Sequence, residues 1–366
     1  MPDRLEGYGY FIEHVVTRLA QAHPEHAFYL IFDRSPKLLP KLPDHVKVEI
    51  IGPPARHPWL WIWWYDWRLP VLLKKLKADL FVSPDGIASL RTKIPQCLVI
   101  HDLAFLQSPD WFPASIRRYY VRRTPKFLRQ VQRVATVSET SKKELINRYG
   151  CSPDSIDVVY NGVNPVFRPF SDSEKAAVKS RYTDGKEYFL YTGAIHPRKN
   201  LIGLLKAFSL FKKRQQNGYK LLLAGRMAWH TGDFVKLLST YKYRSDVVLT
   251  GYLPVEELVG LTASAYAMVY PSFYEGFGVP VLEAMRSDVP VITSLGTSMQ
   301  EVAGQAALYA DPANPTELAE QLTRLYADES LRRRLIEWGR EVSARYSWEK
   351  TAERLWSSMM AAARRD

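Results

Sequence analysis

The chain has 366 residues, 46% of them apolar, and a formal net charge of +12 from 50 Lys and Arg against 38 Asp and Glu. That length exceeds one ordinary domain and predicts two, each with its own core. Two cysteines, Cys97 and Cys151, exclude a disulfide framework or a cysteine metal cluster and fit a reducing compartment. The charged opening Met1-Pro2-Asp3-Arg4-Leu5-Glu6 lacks the apolar core of a secretory signal. No stretch offers the ~20 apolar residues of a membrane span, so a cytoplasmic location, extending to the periphery of the inner membrane face, is expected.

In chain order, Gly7 and Gly9 make a glycine loop ahead of a helix from Phe11 to Ala22, striped by Val15, Val16 and Leu19. A loop that feeds a helix N-terminus is a seat for an anion. Strands are expected at Ala27 to Phe32 and Val46 to Ile50, then a tryptophan-rich stretch, Trp59 to Trp67, and a helix through Lys77. Those tryptophans either pack the helix against its neighbours or form an interfacial face, since Trp favours the headgroup level. Two further strands, around Phe81 and around Val99, end in Ser83-Pro84-Asp85-Gly86 and in His101-Asp102. Ligands of open parallel sheets bind beyond the carboxyl ends of strands, which marks His101 and Asp102.

Residues 51–150 hold seventeen Lys and Arg against seven Asp and Glu. Arg117, Arg118, Arg122 and Arg123 lie in the expected helix from Ser115 to Arg129. Such a face attracts anionic lipid, an acceptor phosphate or nucleic acid. No RNP-like or Cys/His-finger pattern accompanies it, so nucleic acid is not expected as a partner. A strand ending at Ser138 and a helix to Tyr149 follow, then Ile156 to Val159 and a polar linker from Pro165 to Asp184.

Beyond the linker, strands are expected at Tyr188 to Thr192, Lys220 to Ala224, Val247 to Leu249, Ala267 to Tyr270 and Val289 to Thr293. Several end in glycine-bearing loops: Gly193 leading to Arg198 and Lys199, Gly225, and Gly251 with Leu253. Alternating strands and helices predict an α/β fold with parallel sheets. After Ala267 to Tyr270 comes Glu275-Gly276-Phe277-Gly278-Val279-Pro280-Val281-Leu282-Glu283. Gly276 and Gly278 permit a tight turn, and Pro280 suits the first turn of a helix. The N–H groups of that helix start favour a diphosphate. Glu283 lies roughly 7 Å further along the axis at ~1.5 Å per residue.

Two glutamates eight positions apart around Gly-Phe-Gly-Val-Pro resemble the signature of the group 1, or family 4, retaining glycosyltransferases. The similarity runs along nearly the whole chain, most strongly from Tyr188 to Ser294. It implies two facing Rossmann-like domains of the GT-B type: an acceptor-side domain over 1–165, a donor-binding domain over 166–348, and a closing helix, 349–366, returning to the first. It further implies that Arg198 and Lys199 grip a donor diphosphate and that Glu283 holds ribose hydroxyls. Glu275, with the amides of Gly276, Phe277 and Gly278, would take the sugar and adjacent phosphate, and His101, supported by Asp102, the sugar. Gly7, Gly9, Gly193, Gly225 and Leu253 would line the donor site, Leu253 near the base. Family chains start with a strand ahead of the glycine loop, which is expected upstream of Asp3; its first strand missing, this sequence is expected to be truncated or its start miscalled.

The resemblance implies a hexosyl transfer from a nucleotide-sugar, a UDP- or GDP-hexose, to a hydroxyl of a glycan or lipid-linked acceptor. Neither a metal nor a resident cofactor is expected, since no Asp-x-Asp occurs and two cations are in place to neutralise the departing diphosphate. Retention is expected by front-face substitution, in which the leaving phosphate assists the incoming hydroxyl. The alternatives are a nucleotide-sugar 2-epimerase of similar fold, or a basic membrane or nucleic-acid binding module with a relict site.

Overall fold

The computed structural model describes residues 8–36, 42–228 and 230–364. The chain forms two compact units, residues 1–162 with 347–366, and residues 163–346.

In the first unit, β1 (Phe28–Phe32) pairs in parallel with β2 (Val46–Ile50). A second parallel sheet has the order β3 (Phe81–Ser83), β4 (Gln96–Ile100), β5 (Arg133–Thr136), β6 (Ile156–Val158). Side chains alternate across a strand, so β4 serves two cores. Cys97 and Val99 pack with Phe11, Val15 and Leu19 of the helix Tyr8–Ala22 and with Trp348, Leu355 and Met359 of the helix Trp348–Ala363. Leu98 and Ile100 face Trp64, Leu69, Leu73 and Phe127 on the other side. Phe28 and Ile31 of β1 reach one cluster each, yet β1 and β3 are not hydrogen-bonded among the described residues.

Three expectations need correction or fall outside this description. The helix Tyr8–Ala22 includes Gly9, which is therefore helical and not in a loop. Gly7, like the strand expected before it, lies outside the described residues. The linker expected from Pro165 to Asp184 contains the helix Asp172–Thr183, closed at its start by a capping box in which Ser171 and Glu174 bond each other's backbone N–H.

The second unit has one six-stranded, all-parallel sheet of β7 (Tyr188–Thr192), β8 (Lys220–Ala224), β9 (Val247–Gly251), β10 (Ala267–Tyr270), β11 (Val291–Ser294) and β12 (Ala307–Ala310). Its order is β12-β11-β10-β7-β8-β9. The chain therefore winds outward from β7 in one direction and from β10 in the other, the doubly wound arrangement whose switch point lies between those two strands. Both are wholly buried and rich in aromatic and branched residues, as strands covered on both faces require.

The closing helix is fixed to the first unit at Gly162, where an added Cβ would stand 2.3 Å from the Trp348 nitrogen. Thr351 Oγ1 then donates to the Tyr160 carbonyl at 2.7 Å. The two nearest obstructing atoms, the Trp348 nitrogen and the Ser347 carbonyl carbon at 2.6 Å, are backbone, so Gly162→Ala has to push the helix away; it is expected to cost ~1–3 kcal/mol, read as a lower urea midpoint. A wild-type midpoint would contradict this close approach.

Candidate functional site

The loops after β7 and β10 meet at the switch point. Beyond Thr192, Gly193 takes φ 132°, and Gly225, at the end of β8, packs on its backbone so tightly that a Cβ would fall 1.8 Å from the Gly193 carbonyl oxygen. The chain then makes a short 3₁₀ turn, Pro197–Lys199, whose start is capped by His196 Nδ1 accepting from the Arg198 N–H. Asn200 closes the turn at φ 58° and caps the helix Leu201–Gln215 by accepting from the Gly203 N–H. Arg198 and Lys199 are thereby presented on a short rigid turn. The Phe273 N–H donates to the Arg198 carbonyl at 2.9 Å, tying the two loops together.

From the β10 side comes Glu275. Arg198 donates to its Oε2 at 3.1 Å and to the Tyr274 carbonyl at 2.9 Å, and Lys199 donates to its Oε1 at 2.5 Å. Lys199 also reaches the Tyr270 hydroxyl at 2.7 Å. These side chains are enclosed, 19% exposed for Arg198, 11% for Lys199 and 9% for Glu275. Burial alone would push the Glu275 carboxyl up; the two cations overcome it and hold the group at about 2. Its backbone is fixed as well, the Glu275 carbonyl accepting from Ser298 Oγ at 2.6 Å.

Phe277 is buried edge-on against Tyr346, and Gly278 takes φ 95° as the residue before the helix Val279–Arg286. A Cβ on Gly278 would meet Met299 at 2.7 Å. Only glycine suits both that φ and that space. Within this helix Glu283 has no ion-pair partner among the described residues, and burial raises its carboxyl to about 8. The two glutamates of the motif thus have opposite states at neutral pH, Glu275 ionised and Glu283 protonated. Leu253 sits half-buried in the turn between β9 and the helix Val255–Ala263.

In the first unit, His101 Nε2 donates to the Pro84 carbonyl at 3.0 Å, which places the proton on that nitrogen, and its ring stands edge-on to Phe11. Burial lowers its pKa, so the ring is neutral. Asp102 accepts from the Ala104 N–H at 2.9 Å, shaping the chain that follows the strand. Of the residues singled out by sequence, the second unit brings Arg198, Lys199 and Glu275 into one cluster, with Gly193 beneath it.

Tyr270 and Ser298 are members that sequence reasoning passed over. Tyr270 ends β10, one residue inside the carboxyl edge where ligands gather, and stacks on Tyr191 at 5.7 Å; that position was the available signal. Nothing in the sequence marks Ser298, which lies more than twenty residues from the glutamate it supports.

Two Rossmann-like α/β domains, one with a cation–carboxylate cluster at its switch point, define a protein of the GT-B class. Solved structures agree in fold. WaaG, a glycosyltransferase involved in lipopolysaccharide biosynthesis, is 14% identical with a TM-score of 0.76 over 97% of this chain and 96% of that one. HepE from Anabaena, solved with UDP and glucose, is 17% identical with a TM-score of 0.75 over 98% and 97%. Residues 7–167 match the family described as Glycosyltransferase Family 4, and residues 172–342 that described as Glycosyl transferases group 1. The chain belongs to this family.

Among curated relatives, the O-antigen chain mannosyltransferase B of Escherichia coli is 33% identical over 250 residues, 68% of this chain and 66% of that protein. The O-antigen chain mannosyltransferase RfbU of Salmonella typhimurium is 30% identical over 264 residues, 70% of this chain and 67% of that protein. Against the serotype-specific mannosyltransferase WbdA of Escherichia coli the match spans 32% of that protein's length.

The state of Glu283 gives a signed expectation. Its folded pKa, about 8, lies above the ordinary carboxyl value of 4.5, so stability is fully present below about pH 4.5 and is lost as pH rises through 8. Glu283→Gln removes that titration. Chemical denaturation at pH 5 and pH 9 is expected to show a larger loss in the wild type than in the variant; parallel losses would mean that Glu283 is ionised throughout.

Proposed function

We propose that the protein transfers a hexosyl group, with retention, from a UDP- or GDP-activated sugar to a hydroxyl of a glycan or lipid-linked acceptor, without a metal ion. One observation carries this reading: Arg198 and Lys199, fixed by Glu275 at the switch point of the second unit. The two cations and one carboxylate leave a surplus positive charge that suits a diphosphate. The names of the curated relatives favour a mannosyl group and an O-antigen-type glycan.

In the reaction the bond from the anomeric carbon to the diphosphate oxygen breaks, and its electron pair stays on the diphosphate. A new bond forms from the acceptor hydroxyl oxygen to the same face of that carbon, and the hydroxyl proton passes to the departing phosphate. Arg198 and Lys199 stabilise the charge that develops on the leaving group, with Arg supplying a planar fork and Lys a compact charge. Retention through a covalent intermediate would need a carboxylate free to attack. Both oxygens of Glu275 are already engaged by cations and its pKa is low, which makes it a poor nucleophile and supports front-face substitution. Glu283 would meet the ribose hydroxyls. In the first unit, the neutral His101 ring, beside Asp102, would serve as a hydrogen-bonding partner for a hydroxyl and not as a cation.

The reading is tested with a panel of UDP- and GDP-hexoses and a mannose-terminated glycan acceptor, with and without EDTA. Transfer with an unchanged anomeric configuration that survives chelation is expected; inversion, or activity restored only by added divalent metal, would contradict it. Lys199→Ala is expected to lower kcat by ~10²–10³-fold while weakening nucleoside diphosphate binding much less. Equal losses in turnover and in binding would assign Lys199 to ground-state binding alone.

A further inference from the structure

The tryptophan-rich stretch forms a nearly continuous helix in three parts, Pro58–Trp63, a π turn at Trp64–Arg68, and Leu69–Leu76. Its inner side is committed to the core: Trp64, Tyr65, Leu69, Leu72 and Leu73 are buried, and Trp61 packs on Tyr119 and Tyr120. Its outer side carries Trp59, Trp63, Trp67 and Val71, which are 66%, 39%, 51% and 70% exposed. Residues four apart drift around an ordinary α-helix, because a turn takes 3.6 residues. The π turn takes up an extra residue and brings the drift back, so the four side chains keep to one stripe.

Along this helical segment the exposed charge has one sign. From Arg56 to Lys77 the one acidic residue, Asp66, is buried and paired with Arg123, while Arg56, Arg68, Lys74, Lys75 and Lys77 are exposed. Arg68 lies over the Trp63 ring at 5.5 Å, and Arg91 over Trp67 at 3.5 Å. The neighbouring helix Ala114–Gln130 contains no acidic residue. Arg117 and Arg123 turn inward, to the Phe105 carbonyl and to Asp66, whereas Arg118, Arg122, Lys126 and Arg129 stay exposed at helical spacing.

We propose that the Trp59–Trp63–Trp67–Val71 stripe, with the exposed cations of the helix Ala114–Gln130, docks the first unit on an anionic lipid bilayer surface. The indoles enter the headgroup region, where Trp is favoured, Val71 enters with them, and the cations meet lipid phosphates. A second copy laid on the same face would set cations against cations. Single-stranded nucleic acid would use the rings for base stacking and leave Val71 without a role. The proposal does not rest on the transfer reading, because the surface is tested without sugar or acceptor.

The experiment is sedimentation of the whole protein with vesicles of phosphatidylcholine alone and of phosphatidylcholine with about 30% phosphatidylglycerol. Binding to the anionic vesicles with a blue shift of tryptophan fluorescence is expected, and little binding to the neutral ones. The combined change Trp59→Ser, Trp63→Ser, Trp67→Ser should reduce it at least ~10-fold, a loss of ~1.4 kcal/mol, with an unchanged thermal transition. Should that variant fold poorly, Arg118→Gln, Arg122→Gln, Lys126→Gln, Arg129→Gln should show the same loss. Wild-type vesicle binding by either folded variant, equal binding to both vesicle types, or a Trp-dependent dimer in place of vesicle binding would overturn the proposal.

Discussion

Glu275 keeps a negative charge where burial opposes it because Arg198 and Lys199 occupy its two oxygens. That interaction depends on the fold, since its partners come from loops that are neighbours in space only where β7 pairs with β10. A buried ion pair seldom adds much net stability, but loss of one member strands the other and costs ~3–5 kcal/mol. The cluster therefore fixes the two loops relative to each other, and the Phe273 to Arg198 backbone bond reinforces the same juncture. An incoming anion would find its cations already desolvated and oriented, which is the condition under which charge stabilisation costs no reorganisation.

Most of this was legible along the chain because parallel strands buried on both faces are continuous apolar runs. The runs at Tyr188 and Ala267 are β7 and β10, and the residues after them form the cation–carboxylate cluster. Polar segments were harder. The sequence Ser171-Asp172-Ser173-Glu174 carries the residues of a capping box, yet the helix it opens shows few apolar residues, so its stretch reads as a linker. Gly9 reads as loop because glycine is a poor helix former, but that cost is only about 1 kcal/mol and the burial of the neighbouring Phe11 and Val15 decides the conformation. Contacts between distant segments left no local trace: the Ser298 hydroxyl under Glu275 and the Tyr270 hydroxyl on Lys199 appear only once the sheet is assembled.

The two glutamates of one motif show how local environment divides identical groups. Glu275 lies between two cations and is held at about 2; Glu283, on the helix that follows, meets burial without a counter-charge and rises to about 8. Carboxyls whose environments drive them apart are suited to different tasks. The ionised one organises cations, while the protonated one can donate as well as accept a hydrogen bond, as a pair of sugar hydroxyls would require. The family resemblance assigns the two to one site; the packing around each is what separates their protonation states.

The tryptophans divide in a similar way, between those the fold uses and those it does not. Trp64 donates to the Ile51 carbonyl and Trp61 to the Ala55 carbonyl, so both satisfy their indole N–H while filling the core. Trp59, Trp63 and Trp67 leave large apolar areas in water on the same helix. Single exposed apolar residues need no explanation, but an aligned series rimmed by cations is a patch that soluble surfaces seldom keep without a use. Since the inner side already anchors this helix, the outer rings are free of any duty in the core, and burial of the core does not account for their alignment.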